Sequence, residues 1–419
     1  MGRHLMIILP CTLVIKMIKG CSAWGAAAKD STLSPWFVSV MLLPFCPFYL
    51  TGDFPGRSIV FTLFEVLKIV VFIAFVAMVR KRDFKLPAAI LIIATLYELT
   101  YLIPAIVYDD LIGRSFYLWF KDFYSIVLII LLLASFMQRN YHAALQGVYG
   151  LLAILAIAHV AIFYATGIEL LGIRTRFADS TIITVTLLGV LCFIEHRGLR
   201  FFDLLFLTAS IFYVIEQWIS TAVALFALML LAAIMCRFGI FSRLAHYAGW
   251  LTGALALNFS LVVLRIQNLF KWLIVDLLGE DLTMDGRTMI WDCAIKDMQG
   301  HIPWLGAGIQ PDGSKDIHVA TFNEWGHQMM GDRQAHNQLV SVFYFNGVPG
   351  LVCFIALLFA AGTNLTKVRD WRIALFFTFG MFALALGMCT EMIGDNYYLY
   401  MLLLAINYAY LANEGTSNE

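Results

Sequence analysis

Residues that could move a proton, hold an anion or stack on a ring crowd into one polar interval of an otherwise apolar chain. Between Arg265 and Asn337 lie Arg287, Trp291, His301, His318, His327, Arg333 and His336. A histidine at a membrane–water boundary can act as a general base at neutral pH, and His336 closes the interval, with Asn337 beginning the next apolar run. Arg287 stands early in the stretch GRTMIWDCAIKDMQG, where Asp285 reads as an N-cap and Gly300 as a C′ residue with Pro303 shortly after. A guanidinium in the first turn of that helix, beside free backbone N–H groups, makes a place for a phosphate or pyrophosphate. A salt bridge from Arg287 to Asp285 is the equally weighted alternative. Trp291 and Ala294 would share its helix face at i+4 and i+7. His318, His327 and His336 recur every nine residues with Glu324 among them. That spacing is not one used by zinc helices or ribbons, and the segment reads as irregular, so no metal and no other cofactor is expected.

The elements that must hold these residues are membrane helices. The composition is 61% hydrophobic and 13% charged, against about 25% charged in a soluble domain. No single globular core can hide that much apolar surface, so repeated apolar runs predict an all-α, polytopic integral membrane protein. Twelve spans are expected, at about 33–50, 58–79, 86–106, 116–137, 143–165, 178–195, 201–216, 217–236, 245–264, 336–360, 371–389 and 395–412. The seventh and eighth abut and could also be one bent helix. With the N-terminus inside, the inner loops carry Arg80, Lys81, Arg82 and Lys85; Arg139; Arg197 and Arg200; Arg237 and Arg243; and Lys367, Arg369 and Arg372. Every inner loop is then basic, as the positive-inside rule requires, provided that 201–236 crosses twice. The long interval, with ten acids against six bases, falls outside, between helices 9 and 10.

The expected organisation is a lead-in over 1–32 (interfacial or signal-like), helices 1–9 over 33–264, an extracytoplasmic catalytic loop over 265–335, helices 10–12 over 336–412 and a tail over 413–419. Both termini are cytoplasmic. Val262 to Leu278 either extends the ninth span or lies along the membrane surface. The net charge of zero gives no case for nucleic acid. The eight cysteines form no CxxC pair and mostly sit in apolar runs, as buried small hydrophobes do. Arg174 and Arg176, before the sixth span, and Glu216, Gln217 and Trp218, at the outer turn between spans seven and eight, read equally as functional groups or interface anchors.

Gly286-Arg287-Thr288, Trp291, Pro303, Gly306, Gly308, His336-Asn337, Gly347 and Gly350 follow a pattern of Gly-Arg-Thr-x-x-Trp, then Pro-x-x-Gly-x-Gly, then His-Asn with a Gly-x-x-Gly in the helix. In order and spacing this resembles the O-antigen ligase/polymerase superfamily, closely over about 75 residues and in topology over nearly the whole chain. The resemblance implies a metal-independent membrane glycosyltransferase in the bacterial inner membrane. It would take undecaprenyl-pyrophosphate-linked glycan as donor and acceptor, amid membrane lipid, with a flippase and a chain-length regulator as partners. It implies His336 as catalytic base, Arg287, Arg174, Arg176 and Arg265 as pyrophosphate binders, and Trp291 and Asn337 as supports. Many members carry an arginine at the outer end of the eighth span; here the text is EQWISTAV (Glu216–Val223), with none. The form of the Gly-Arg-Thr helix looks more like the polymerase branch than the ligase branch, which transfers glycan to lipid A-core. A polytopic transporter of a lipid-linked or anionic substrate is the competing class. Glu65, Lys68, Lys121 and Asp122 in or near spans suit it, but there is no internal repeat.

Overall fold

The computed structural model describes residues 33–45, 57–79, 88–108, 112–171, 174–217, 219–237, 247–277, 286–300, 304–308, 316–322, 328–365 and 370–389. The lead-in 1–32, the twelfth expected span at 395–412 and the tail 413–419 lie outside the described residues.

Helices occupy the other eleven expected segments. They are α1 (Pro35–Leu42), α2 (Arg57–Val79), α3 (Ala88–Tyr108), α4 (Ile112–Thr166), α5 (Arg174–Ile194), α6 (Phe201–Glu216), α7 (Ser220–Arg237), α8 (Tyr247–Val262), α10 (Gln338–Leu365) and α11 (Trp371–Gly387). The fourth and fifth segments are the two arms of α4, which breaks at Asn140 (φ −159°, ψ 95°). The Asn140 side chain caps the second arm, its Oδ1 accepting from Ala143 N–H at 2.9 Å. Stretches Trp119–Thr166, Phe177–Ile194 and Gln338–Ala360 are long and apolar enough to cross a membrane. Many large apolar side chains face outward, among them Ile69, Phe72, Leu230, Phe259 and Val352. In water this would be an aggregation surface; in a bilayer it is the lipid face of an integral membrane protein. Segments 201–216 and 217–236 are two packed helices, α6 and α7, and not one bent helix.

The helix α5 is the hub. It packs against α4, α7 and α11, and Phe177, Ile182, Ile183, Leu187 and Val190 on it are fully buried. At the end of α5 remote from Arg174, a charged staple closes the bundle. Arg197 donates to Glu195 and, at 2.5 Å, to Asp203. Tyr149 from α4 also donates to Asp203 at 2.5 Å, while Gln146 and His142 reach Glu195 at 2.6 and 2.9 Å. Burial works to raise the Glu195 carboxyl, but the hydrogen bonds from Gln146 and Arg197 outweigh it and hold it below its ordinary value of 4.5. Its contribution to stability is therefore complete above that value and is lost as pH falls through the lower folded one. Arg197→Ala would strand Asp203, which is 2% exposed, and should cost about 3 kcal/mol. Thermal unfolding in detergent measures it, and an unchanged midpoint would mean that both carboxylates are hydrated.

The polar interval has its own architecture. After α8 the chain makes a 3-10 turn (Ile266–Phe270) and a π turn (Trp272–Leu277), then α9 (Arg287–Gly300), and a hairpin of β1 (Asp316–Phe322) and β2 (Gln328–Gln334). The all-α reading describes the bundle. The segment read as irregular is instead an antiparallel hairpin, from Asp316 opposite Gln334 to Phe322 opposite Gln328. Alternation through Asp316–Val319 favours it, with Ile317 fully buried. A separate apolar core lies under the interval: Trp291, Ala294 and Met298 from α9, Ile317, Ala335, Val340, Tyr344 and Phe345, with Tyr101 from α3 and Trp119 from α4.

Candidate functional site

The site is built around the corner Ala335-His336-Asn337, where β2 ends and α10 begins. Asn337 is fully buried and works as the helix cap: its Oδ1 accepts from Val340 N–H at 3.0 Å. The same oxygen accepts from Asn258 Nδ2 of α8 at 3.3 Å, and Asn337 Nδ2 donates to Cys389 O at 2.9 Å. Gln338 N–H donates to Met388 O at 2.9 Å. The corner is thus tied to α8 and to the end of α11. On its other side, Trp291 Nε1 donates to Ala335 O at 2.8 Å from a fully buried ring. The half-buried His336 between these ties has φ 45°, the left-handed region that histidine enters more readily than most residues. Among the described residues only three non-glycines have positive φ: His196, Arg265 and His336. Two of the three belong to this site, and held backbone strain of this kind clusters where geometry is functional.

Arg265 follows α8 and turns back onto α9. Its Nη2 donates to Thr288 O at 3.1 Å and pairs with Asp292, and the guanidinium stands 5.7 Å from the Trp291 ring centroid. Its Nη1 is buried and has no hydrogen bond among the described residues. One edge of the fork is committed to α9, leaving a donor on the other edge for an anionic group. Sequence reading placed Asp285 as the cap of α9. It lies outside the described residues, and Gly286 (φ 78°) makes the turn, its carbonyl accepting from Met289 and Ile290 N–H at 3.1 and 3.4 Å. Arg287 opens the first turn, half-buried, four residues before Trp291.

The glycine motifs prove to be two halves of one joint. Gly347 (φ 64°, ψ −165°) breaks α10, and Pro349 removes the N–H that Phe345 O would normally accept from. Residues 304–308 fill the gap. Ala307 N–H donates to Tyr344 O at 2.7 Å and Gly308 N–H to Phe345 O at 2.9 Å, while Val348 N–H donates to Trp304 O at 3.1 Å. A Cβ on Gly306 would lie 2.4 Å from Gly347 N, so only glycine permits this approach. Tyr344 Oη adds a 2.5 Å bond to Asp297 of α9. The loop is thereby fastened to the helix that His336 precedes.

The structure brings Arg265, Trp291, Asn337 and the His336 backbone together around one small core, with Arg287 on the same helix as Trp291. Arg174 begins α5 and Arg176 follows in its first turn, but their side chains lie outside the described residues, as do His301, Pro303, His327, Glu324 and Trp218. His318 pairs with Asp332 across the hairpin, and no group of metal-ligating side chains gathers among the described residues. At the α6–α7 turn Glu216 accepts from Tyr164 and from Gln217, the latter at 2.8 Å. Sequence reading missed Asn258, Asp292 and Asp297. Asn258, a lone amide in the apolar run GALALNFSLV, was a readable signal; the aspartates gave none. Residues 182–355 match the family model described as O-antigen ligase. The matched stretch contains Arg265, Arg287, Trp291, His336 and Asn337 and stops short of Arg174 and Arg176. No curated protein and no solved structure matches the chain.

Proposed function

Through residues 182–355 the chain belongs to the O-antigen ligase/polymerase superfamily, and from that premise we propose that it polymerises undecaprenyl-pyrophosphate-linked oligosaccharide repeat units in the bacterial inner membrane. Membership gives a membrane glycan ligase- or polymerase-type role. The observation that carries the finer reading is the His336 corner, anchored through Trp291 to the helix that bears Arg287 and that Arg265 clamps.

In this reading His336 takes the proton of the acceptor hydroxyl as its oxygen attacks the anomeric carbon of the donor from the opposite face. The bond from that carbon to the pyrophosphate oxygen breaks, and undecaprenyl pyrophosphate leaves with its electron pair. Arg287 and the uncommitted edge of Arg265 hold the developing charge, with Arg174 and Arg176 as further donor contacts. No arginine stands between Glu216 and Val223, so Arg265 is the residue assigned to that charge. Preorganisation supports the assignment, because its fork is already held by Asp292 and the Thr288 carbonyl.

The test is a gel of surface and lipid-linked glycan from cells lacking the protein, complemented with wild type or Arg287→Ala. Loss of long chains, with single repeat units left on lipid A-core or on the carrier lipid, is the expected result, and Arg287→Ala should fail to restore them. The match to the O-antigen ligase family favours a ligase as the second reading. Full-length polymer stranded on the carrier lipid would establish that one instead. An unchanged pattern would overturn both and return transport as the explanation.

A further inference from the structure

We propose that α2 and the first arm of α4 bind the phosphate group of a membrane lipid between the ammonium groups of Lys68 and Lys121. This site is independent of the glycan-transfer reading. Lys68 Nζ donates to Glu65 Oε1 at 2.9 Å and to Ser125 Oγ at 3.1 Å, and Lys121 Nζ lies 3.7 Å from the same Glu65 oxygen. Tyr124 Oη donates to the other Glu65 oxygen. Both carboxylate oxygens are therefore engaged. Among the described residues, two ammonium groups share one carboxylate, leaving one net positive charge in this contact set.

A purely structural tie between the helices does not account for that composition. Lys68, Glu65 and Ser125 already join α2 to α4 with the charge balanced. Lys121 adds an ammonium to a carboxylate that is already neutralised, within a helix bordered by apolar surface, where unbalanced charge is costly. A phosphate diester or monoester supplies the missing negative charge and acceptor oxygens for the spare N–H donors of Lys121. The exposures fit an open side. Lys68 is 12% exposed and Lys121 40%. Asp122 is also exposed, about 100° further round the helix.

The surroundings fit a lipid and not a soluble anion. Each charged residue has an exposed apolar or aromatic neighbour one helical turn away: Ile69 for Glu65, Phe72 for Lys68 and Tyr117 for Lys121, at 57%, 51% and 64% exposure. A headgroup at the lysines would thus have its chains on the exposed stripe of α2. Lys121 lies about 13 Å along α4 from Ile112, a depth from which a lysine stem can reach the interface.

The experiment is native mass spectrometry of the full-length, delipidated protein incubated with phosphatidylglycerol, phosphatidylcholine or a polyprenyl phosphate. Wild type should retain an anionic lipid, and Lys121→Ala should retain it at least tenfold less, while Lys121→Arg retains it. Retention of phosphatidylglycerol alone identifies the bilayer headgroup as the source; retention of polyprenyl phosphate alone identifies the carrier lipid. Equal retention of phosphatidylcholine, or retention unchanged in Lys121→Ala, overturns the proposal. Lys121 is on the open side, so Lys121→Ala should keep the wild-type thermal midpoint. If Lys68→Met fails to fold, Lys121→Ala still decides the matter.

Discussion

His336→Asn is expected to give a protein that inserts at the wild-type level, unfolds at the wild-type temperature and makes no polymer. The choice of asparagine matters. The backbone at 336 has φ 45°, and asparagine tolerates that region about as well as histidine, whereas alanine would add strain of its own. The corner is held by groups that the substitution leaves alone: the Trp291 bond to Ala335 O, and the Asn337 bonds to Val340, Asn258 and Cys389. What is removed is a group able to take a proton near neutral pH. Losing a general base typically lowers a rate by about 10²–10⁴-fold. In purified protein with a lipid-linked donor, His336→Asn should fall by that factor while donor binding stays within a few-fold of wild type. His336→Ala should lose activity equally but unfold at a lower temperature. A His336→Asn protein with near-wild-type turnover would remove His336 as the base and leave the corner with a structural role only. His318→Ala is the control, since no step is assigned to it.

How much of this could be read from the residues differs by element. Helices were legible because long apolar runs have few alternatives, so eleven expected segments coincide with helices, of which the stretches Trp119–Thr166, Phe177–Ile194 and Gln338–Ala360 are long and apolar enough to cross a membrane. The break in α4 was visible as two runs separated by QRNYH, and the structure adds only that Asn140 supplies the cap. The α9 helix was legible to within a residue or two, from Asp285 and Gly300 as punctuation. The hairpin was not. Strict alternation of polar and apolar residues runs only through Asp316–Val319, too short a run to separate a strand from a loop, and the buried Ile317 packs with Trp291 and Ala294 of α9. At the site, the residue types that could do chemistry were visible. Their supports were not, because a support is defined by what it touches across the fold. Asp292 reads as one acid among ten in the interval, and only the fold shows that it holds Arg265. The Pro-x-x-Gly-x-Gly and Gly-x-x-Gly patterns were read as separate marks, yet each exists because of the other.

That dependence makes Gly347→Ala the other large effect. At φ 64° and ψ −165° the residue occupies a region that is essentially glycine's alone. A Cβ there would also lie 2.3 Å from Trp304 O and 2.5 Å from Leu305 C, contacts that no side-chain rotation can relieve because both partners are backbone. Either residues 304–308 withdraw or α10 closes. If they withdraw, Tyr344 O, Phe345 O and Val348 N–H lose their partners. If α10 closes, Phe345 O still has none, because Pro349 has no N–H to offer. Strain of about 1–3 kcal/mol then adds to at least one unsatisfied buried backbone group at a further 1–3 kcal/mol. The expected result is a loss of about 3 kcal/mol or more in detergent, fast hydrogen exchange at Ala307 and Gly308, and loss of glycan transfer. Gly306→Ala should behave alike, since its Cβ would meet Gly347 N, and the double variant should cost far less than the sum because both act on one joint. Exchange at 307 and 308 that stays slow in Gly347→Ala would show that the loop is fastened elsewhere. The joint would then not be what fixes the polar interval to the helix that His336 precedes.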